Sequence, residues 1–178
     1  MIMIKSTKLL YTSLVLLILG FGVYIFYSTA FREFHPVIDK QPKLEYPAIR
    51  NQERIDPTIV EVKNNISTIS VSFASIEQNT IVKFFDPDKL FNIPIIAYIT
   101  PRGKIVTAIS MSENCTSKEF YLENNNIHCA NCDSYWNMES LEAYACCQRY
   151  YPDPIPSKLV NGEIIIEKSV FANWQKRD

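Results

Sequence analysis

The chain has 178 residues, in which 18 lysines and arginines nearly balance 19 aspartates and glutamates, so its formal net charge is −1. This balance gives no basis for nucleic acid or another acidic polymer as a partner. Only two histidines and no glycine-rich phosphate loop are present, so histidine-based catalysis and phosphate binding are poorly supplied.

The N-terminal segment carries a long uncharged run from Leu9 to Phe31. About 20 apolar residues in a helix, rising about 1.5 Å each, cross a hydrocarbon layer of about 30 Å. We therefore predict a single-pass transmembrane helix over residues 9–31, with the lipid bilayer as a partner. Lysines precede the run, so the positive-inside tendency predicts a cytoplasmic N-terminus over residues 1–8 and an extracytoplasmic C-terminal domain.

A cleaved signal peptide is the alternative interpretation of this run. Ser28-Thr29-Ala30 resembles a small-x-small cleavage site. The apolar region of a signal peptide usually spans about 7–15 residues, and this run is longer. An uncleaved anchor is therefore favoured, and both interpretations export the rest of the chain.

Four X-Pro pairs follow the run, and they define a segment over residues 32–57: His35-Pro36, Gln41-Pro42, Tyr46-Pro47 and Asp56-Pro57. A residue that precedes proline prefers an extended conformation, so this spacing opposes a helix. We predict a semi-rigid, proline-rich stalk that lifts an exported domain over residues 58–178 away from the bilayer.

The exported domain is predicted to be mainly antiparallel β, because short β-branched and apolar runs alternate with turn signals. The predicted strands are Thr58–Val62, Thr68–Phe73, Thr80–Phe85, Ile95–Ile99, Lys104–Ile109, Phe120–Leu122, Ile127–Cys129 and Glu163–Lys168. Thr100–Gly103 and Asn124–Asn126 are predicted to close two hairpins. The fold class is therefore a mainly β domain after one N-terminal transmembrane helix.

Two further segments complete this prediction. Asn137–Ala145 is predicted to form one short helix, because Met138, Leu141 and Ala145 would share one side of it. Beyond it, the prolines between residues 152 and 156 oppose regular structure.

All five cysteines of the chain lie between residues 115 and 147, with Cys129-Ala-Asn-Cys132 at the centre of the group. A Cys-x-x-Cys that follows a strand forms a tight knuckle whose two thiolates face one ion, and a tetrahedral site needs two more sulfurs. Thirteen residues separate Cys115 from Cys129, and thirteen separate Cys132 from Cys146, so a hairpin or short helix fits each gap. The pattern predicts a Cys-knuckle metal site that includes Cys115.

The fourth ligand comes from the adjacent pair Cys146 and Cys147, whose side chains point in different directions. We choose Cys147, because Cys146 lies nearer the apolar side of the predicted helix and would act as a small buried hydrophobic residue. The opposite assignment, with Cys146 as the ligand, stays open.

Two other uses of the cysteines remain open, a disulfide framework and a redox-active thiol pair. Five cysteines cannot all pair, and a domain with several apolar strands has little need of disulfides to fold. A metal site is therefore favoured. An all-sulfur tetrahedral site suits both iron and zinc, so the pattern leaves the metal open.

The domain resembles the DUF2318 family, whose members are described as membrane iron–sulfur-containing proteins similar to the FtrD component of bacterial iron-transport systems. The resemblance covers about residues 65–170 and is carried by Ile95–Ile109, Cys115, Phe120–Glu123, Cys129-x-x-Cys132, and Cys147 with the later Pro154-Ile155-Pro156. It implies Cys115, Cys129, Cys132 and Cys147 as metal ligands, with an iron–sulfur cluster or iron as the cofactor and zinc as the alternative.

The chain departs from the family pattern at two places. Ser112 stands where the first cysteine of an earlier Cys-x-x-Cys is expected, and the closing motif reads Ala145-Cys146-Cys147-Gln148. Four sulfurs still suffice for one metal ion or one cluster.

These observations predict a membrane-anchored, extracytoplasmic four-cysteine protein that is not itself an enzyme. The resemblance implies a redox or assembly accessory of an iron or other metal transport system, with a membrane permease or a redox protein as partner. A structural-zinc interaction module is one alternative. A thiol–disulfide oxidoreductase, with Cys129 as the attacking thiolate and Cys132 as the resolving thiol, is the other.

Overall fold

The computed structural model describes residues 3–30, 34–46, 53–88, 92–145 and 149–177. The chain divides into two compact units, Met1–Glu33 and Phe34–Asp178. The first unit contains one helix, α1 (Met3–Ala30). Over the described part of the chain, no helix meets the combined length and apolarity of a membrane span, so the transmembrane helix predicted over residues 9–31 is not confirmed.

The second unit is mainly β, and its described part contains twelve short strands and three short helices. In chain order these are α2 (Pro36–Asp39), β1 (Thr58–Ile59), β2 (Lys63–Asn64), β3 (Thr68–Ser72), α3 (Phe73–Asn79), β4 (Ile81–Phe84), β5 (Ile95–Ile99), β6 (Ile105–Ile109), β7 (Phe120–Glu123), β8 (Asn126–Cys129), β9 (Tyr135–Asn137), β10 (Asp153–Ile155), β11 (Lys158–Val160), β12 (Glu163–Glu167) and α4 (Ser169–Asn173).

The strands form three sheets. The largest has the order β1-β4-β5-β6-β10, the second has the order β11-β12-β3-β2, and the third has the order β7-β8-β9. All pairings between these strands are antiparallel except that of β1 with β4, which is parallel. The mainly antiparallel β class predicted from the sequence is therefore confirmed, with one parallel pair at a sheet edge.

The inner strands of the five-stranded sheet are buried on both faces, and this explains their sequence. Every residue of β5 (IIAYI) and β6 (IVTAI) is buried. Strands covered on both faces have nearly continuous apolar runs, whereas strands with one wet face alternate. β7 and β8, in the three-stranded sheet, do alternate between buried and half-buried residues.

Two hydrophobic cores lie on the two faces of this central sheet. On one face Phe84, Ile95 and Ile109 pack with Ile164 and Ile166 of β12. On the other face a different set of central-sheet residues packs with the three-stranded sheet, and its members include Ile96, Tyr98, Val106, Phe120, Leu122, Ile127, Cys129 and Trp136. The second core reaches the cysteines, because Cys129 is one of its residues.

The predicted hairpin between β5 and β6 is confirmed, and its turn depends on Gly103. Its φ is +81°, and a Cβ added there would lie 2.9 Å from the backbone oxygen of Tyr46. Gly162 has a similar φ of +78°, but a Cβ there would meet no atom within 4 Å. Gly103 is therefore required both by its backbone angle and by close contact.

We expect Gly103→Ala to lower the free energy of unfolding more than Gly162→Ala does. The left-handed conformation alone costs a non-glycine residue about 1–2 kcal/mol, and overpacking adds about 1–3 kcal/mol at Gly103 only. Urea unfolding of the two variants measures the difference. Equal losses in the two variants would contradict the close contact with Tyr46.

The helix predicted over Asn137–Ala145 is wrong. The side-chain oxygen Oδ1 of Asn137 accepts hydrogen bonds from the backbone N–H groups of Glu139 and Ser140, and Leu141 has a φ of +58°. Such an asparagine side chain competes with helical hydrogen bonds and starts a turn instead. The chain then reverses, and Ala143 forms an isolated bridge with Trp136 of β9.

Other boundaries also differ from the predictions. The strand predicted over Thr68–Phe73 ends at Ser72, because α3 begins at Phe73, and the one predicted over Thr58–Val62 is limited to β1. The proline-rich stretch near residue 154 forms β10 despite its composition. β10 pairs with β6 at the end of the central sheet, and an edge strand tolerates proline because one side needs no N–H donor.

Part of the proline-rich segment predicted as a stalk lies in the second compact unit. Ile38 of α2 is fully buried in the second core, and Ile55 packs against that core. Ile55 also forms an isolated bridge with Leu122 of β7. Residues 34–46 and 53–57 thus contribute to the β domain.

Candidate metal centre

Two local structures present the three described cysteines. Cys129 is the last residue of β8, and Cys132 follows in the short loop before β9. Cys115 lies in a tight turn closed by the bridge between Ser112 and Ser117, in which the Ser112 N–H donates to the Ser117 carbonyl at 2.9 Å. The knuckle after a strand, predicted from the Cys-x-x-Cys, is therefore present.

The three sulfurs converge. Cys115 Sγ lies 3.5 Å from Cys129 Sγ and 3.6 Å from Cys132 Sγ. All three Sγ atoms lie within 4.8 Å of one another, and they form a group able to hold a metal ion. The three cysteines are free rather than disulfide-bonded. The structure thus brings a residue 14 positions upstream to the knuckle.

These separations fit thiolates that share an ion. With metal–sulfur bonds of about 2.3 Å in a tetrahedral arrangement, two ligating sulfurs lie about 3.8 Å apart. A disulfide bond would require about 2.05 Å. The donor set of soft sulfurs suits zinc, iron or an iron–sulfur cluster.

Hydrogen-bond donors surround the two knuckle sulfurs at equivalent positions. The backbone N–H of Asn131 donates to Cys129 Sγ, and the side chain of Ser117, whose hydroxyl donates to the Glu119 carbonyl, also lies beside that sulfur. The N–H of Ser134 donates to Cys132 Sγ, and the Cys132 thiol donates to Ser134 Oγ at 3.3 Å. In each case the N–H belongs to the residue two positions after the cysteine. Such donors stabilise a thiolate, the form that binds metal.

Burial and these donors act in opposite directions on the thiol pKa values. Burial raises the pKa of Cys129 to about 11, against the hydrogen bonds from Ser117 and Asn131. Burial also acts to raise the pKa of Cys132, but the hydrogen bonds from Ser134 and the neighbouring thiols outweigh it and lower that pKa. Cys132 is therefore the more acidic thiol of the knuckle.

The apolar side of the centre is formed by the second core. Cys129 is only 3% exposed, Phe120 is its cross-strand partner, and Trp136 on β9 is fully buried. His128 lies on the opposite face of β8, stacked between Tyr121 and Tyr135 at centroid distances of 4.9 and 4.8 Å. These side chains therefore limit the access of water to Cys129.

The fourth predicted ligand, Cys147, and the alternative, Cys146, lie outside the described residues. Ser112, which occupies the position of an expected family cysteine, is fully buried, and among the described residues its hydroxyl has no hydrogen-bond partner. Its carbonyl oxygen lies 4.0 Å from Cys115 Sγ.

Ser117, Asn131 and Ser134 were not predicted from the sequence as hydrogen-bonding neighbours of the sulfurs. The two N–H donors could be predicted from the Cys-x-x-Cys motif, because such a knuckle turns back so that the N–H two residues after each cysteine faces its sulfur. The position of Ser117 could not be predicted from the motif, because the turn that contains it depends on the bridge to Ser112.

The sequence model of one protein family, described as membrane iron-sulfur containing protein FtrD-like, matches residues 76–177, which is more than half of the chain. The chain belongs to the FtrD-like family. The matched region includes all three clustered cysteines and the donors around them. No curated protein and no solved structure matches the chain significantly.

Proposed function

We propose that this FtrD-like domain holds an iron–sulfur centre on Cys115, Cys129, Cys132 and Cys147 and serves as an electron-transfer accessory of a metal transport system. The observation that carries the metal centre is the convergence of three free thiols within 4.8 Å, two of them on a knuckle with N–H donors. The description of the family as iron–sulfur containing supports the choice of metal.

The residues around the centre have three roles in this proposal. The four cysteines hold the centre, which when bound supplies one-electron transfer at a potential set by hydrogen bonds and solvent exposure. Ser117, Asn131 and Ser134 stabilise negative charge on the knuckle sulfurs. The buried apolar side limits water, while Cys115 and Cys132 are only partly buried, and an electron partner would approach the centre from their side.

The membrane part of the proposal concerns the first unit. Residues 9–31 anchor the chain in the lipid bilayer, with residues 1–8 cytoplasmic and the cysteine domain extracytoplasmic. The uncharged run and the description of the family as membrane proteins support the anchor, and the lysines before the run support the orientation. A membrane permease or a redox protein is the proposed partner, and protease protection in sealed membrane vesicles tests the orientation.

A structural zinc site is the second candidate, and the sulfur separations favour it. Values of 3.5 and 3.6 Å suit thiolates on one ion, whereas thiolates on different irons of a cluster lie further apart. Four-cysteine zinc sites are closed and redox-silent, so zinc would stabilise an interaction surface instead.

The thiol–disulfide alternative has less support. An attacking thiolate needs a lowered pKa, but burial raises the pKa of Cys129, the residue assigned that role. The knuckle also follows a strand and precedes another short strand, β9, whereas redox-active pairs of this kind begin a helix.

Metal analysis of the full chain tests the proposal. The chain is purified in detergent without oxygen, and iron, zinc and acid-labile sulfide are measured together with a visible spectrum. Iron with sulfide supports electron transfer, and one zinc without colour supports the structural site. Protein without metal, in which Cys129 and Cys132 cycle between disulfide and dithiol, contradicts both.

We expect Cys147→Ser to abolish metal retention and Cys146→Ser to leave it unchanged, because only one of two adjacent side chains can face the ion. The two variants are matched controls for each other, and metal content per chain is the measurement. The reverse result would assign the fourth ligand to Cys146, and retention in both variants would remove this segment from the site.

A further inference from the structure

We infer that Arg177 is a positioning residue for the metal centre, acting through Glu113 on the turn that presents Cys115. This inference rests on the proposed metal function and adds the ion pair that holds the turn of Cys115 in place. Arg177 is distant from the cysteines in sequence, yet its guanidinium contacts segments on both flanks of the cysteine group.

Arg177 and Glu113 form a bidentate ion pair. Arg177 Nε donates to Glu113 Oε1 at 2.8 Å, and Nη2 donates to Oε2 at 2.9 Å. The Glu113 side chain is only 4% exposed. A buried carboxylate is unfavourable unless its charge is paired, and the fork of an arginine provides that pairing with fixed geometry. Arg177 therefore determines where the Glu113 carboxylate lies.

Glu113 belongs to the turn between Ser112 and Ser117, two residues before Cys115. Thr116 in this turn has a φ of +54°, a left-handed conformation that costs a threonine about 1–2 kcal/mol. A strained turn of four residues keeps its shape only when its surroundings hold it. The buried ion pair provides such a hold close to the ligand.

The same guanidinium reaches the other flank of the cysteine group. Arg177 Nη2 also donates to the backbone oxygen of Tyr151, and the guanidinium carbon lies 4.6 Å from the centre of the Tyr151 ring. Tyr151 follows Cys147 by four residues. One side chain thus links the Cys115 turn with the chain that leaves the adjacent cysteine pair.

The test compares metal affinity in full-length variants by competition with a chelator, using Co²⁺ as the probe. The sulfur-to-cobalt charge-transfer absorbance also reports how many thiolates bind. We expect Arg177→Gln to weaken Co²⁺ binding about 10–100-fold, the range typical when a residue that orients a ligand is removed. The charge-transfer absorbance per bound Co²⁺ should fall, because Cys115 binds less often.

Two variants separate positioning from general stabilisation. Arg177→Lys keeps the charge but not the fork, so it should restore binding only in part. Glu113→Gln combined with Arg177→Gln should bind Co²⁺ no more weakly than Arg177→Gln alone, since the arginine acts through Glu113. The double variant also removes the unpaired buried carboxylate, so it supplies the comparison if Arg177→Gln does not fold.

Arg102→Gln is the matched control. Arg102 lies in the turn before β6 and pairs with Glu139, whose side chain is 10% exposed. The Cys115 turn follows the other end of β6. Arg102→Gln should lower the melting temperature of the metal-free chain without changing Co²⁺ affinity. The inference is overturned if Arg177→Gln behaves in the same way, or if the double variant is weaker than Arg177→Gln. Wild-type protein that binds no Co²⁺ would instead refute the proposed metal site.

Discussion

Replacing Cys129 by serine is expected to abolish metal retention by the full chain. Cys129 is the most buried of the three clustered cysteines, and its sulfur accepts a hydrogen bond from the backbone N–H of Asn131. A serine hydroxyl stays protonated near neutral pH and is a poor ligand for zinc or iron, so three sulfurs cannot complete the tetrahedral site. Metal content should fall from one centre per chain to none.

The same substitution should remove the stability that the metal supplies. Binding a metal to the folded chain adds its binding free energy to folding, about 10–16 kcal/mol in small zinc domains. We therefore expect the Cys129→Ser variant to melt at the temperature of the chelator-treated wild type. Differential scanning calorimetry with and without chelator measures this, and Cys146→Ser is the control that should keep the metal-dependent shift.

Retention of metal and sulfide by Cys129→Ser would show that the centre lies elsewhere in the chain. A variant that loses metal while its melting temperature stays equal to that of the metal-loaded wild type would show that the ion does not stabilise the fold. Either result contradicts this assignment of Cys129.

Replacing Trp136 by alanine is expected to have the largest effect on the fold itself. Trp136 is fully buried in the second core, 6.3 Å from the Phe120 ring, and pairs with Ile127 of β8. Removing a buried tryptophan costs about 3–5 kcal/mol, a large part of the about 5–15 kcal/mol that stabilises a domain. The melting temperature of the metal-free chain should fall by about 10–15 °C.

Metal affinity should fall with it, because β9 pairs with β8, the strand that ends at Cys129. Trp174 is the other tryptophan of the chain and is only partly buried against the first core, so Trp174→Ala should lower the melting temperature less and leave metal affinity unchanged. Trp136→Phe should recover much of the loss, since the indole N–H has no partner among the described residues. Equal effects of the two alanine variants would contradict the link between the second core and the centre.

The strands that sequence analysis located best were those whose apolar pattern coincides with clear turn chemistry. β5 and β6 are continuous apolar runs joined by Thr100–Gly103, and β7 and β8 flank Asn124–Asn126. In both hairpins the partner strands are neighbours in sequence, so local propensity and tertiary pairing favour the same structure.

The two segments that were missed have different causes, one a distant partner strand and the other a local turn. β10 contains Pro154 and is a strand only because β6 offers an edge to it. The segment after Asn137 has a helical pattern of apolar residues, but the Asn137 side chain and the bridge from Ala143 to Trp136 turn it back onto the sheet. A periodicity read along the chain cannot detect such competition.

The sequence by itself determined the mainly β class of the fold and the Cys129–Cys132 knuckle, because these depend on single turns and hairpins, and it showed that all five cysteines lie between residues 115 and 147. Only the tertiary structure decided that Cys115 meets the knuckle at 3.5 Å and that Arg177 holds Glu113 beside it. Both contacts join separate segments of the chain, 14 and 64 residues apart in sequence. The packing of the three sheets around two cores sets these distances. Local sequence patterns do not predict that packing.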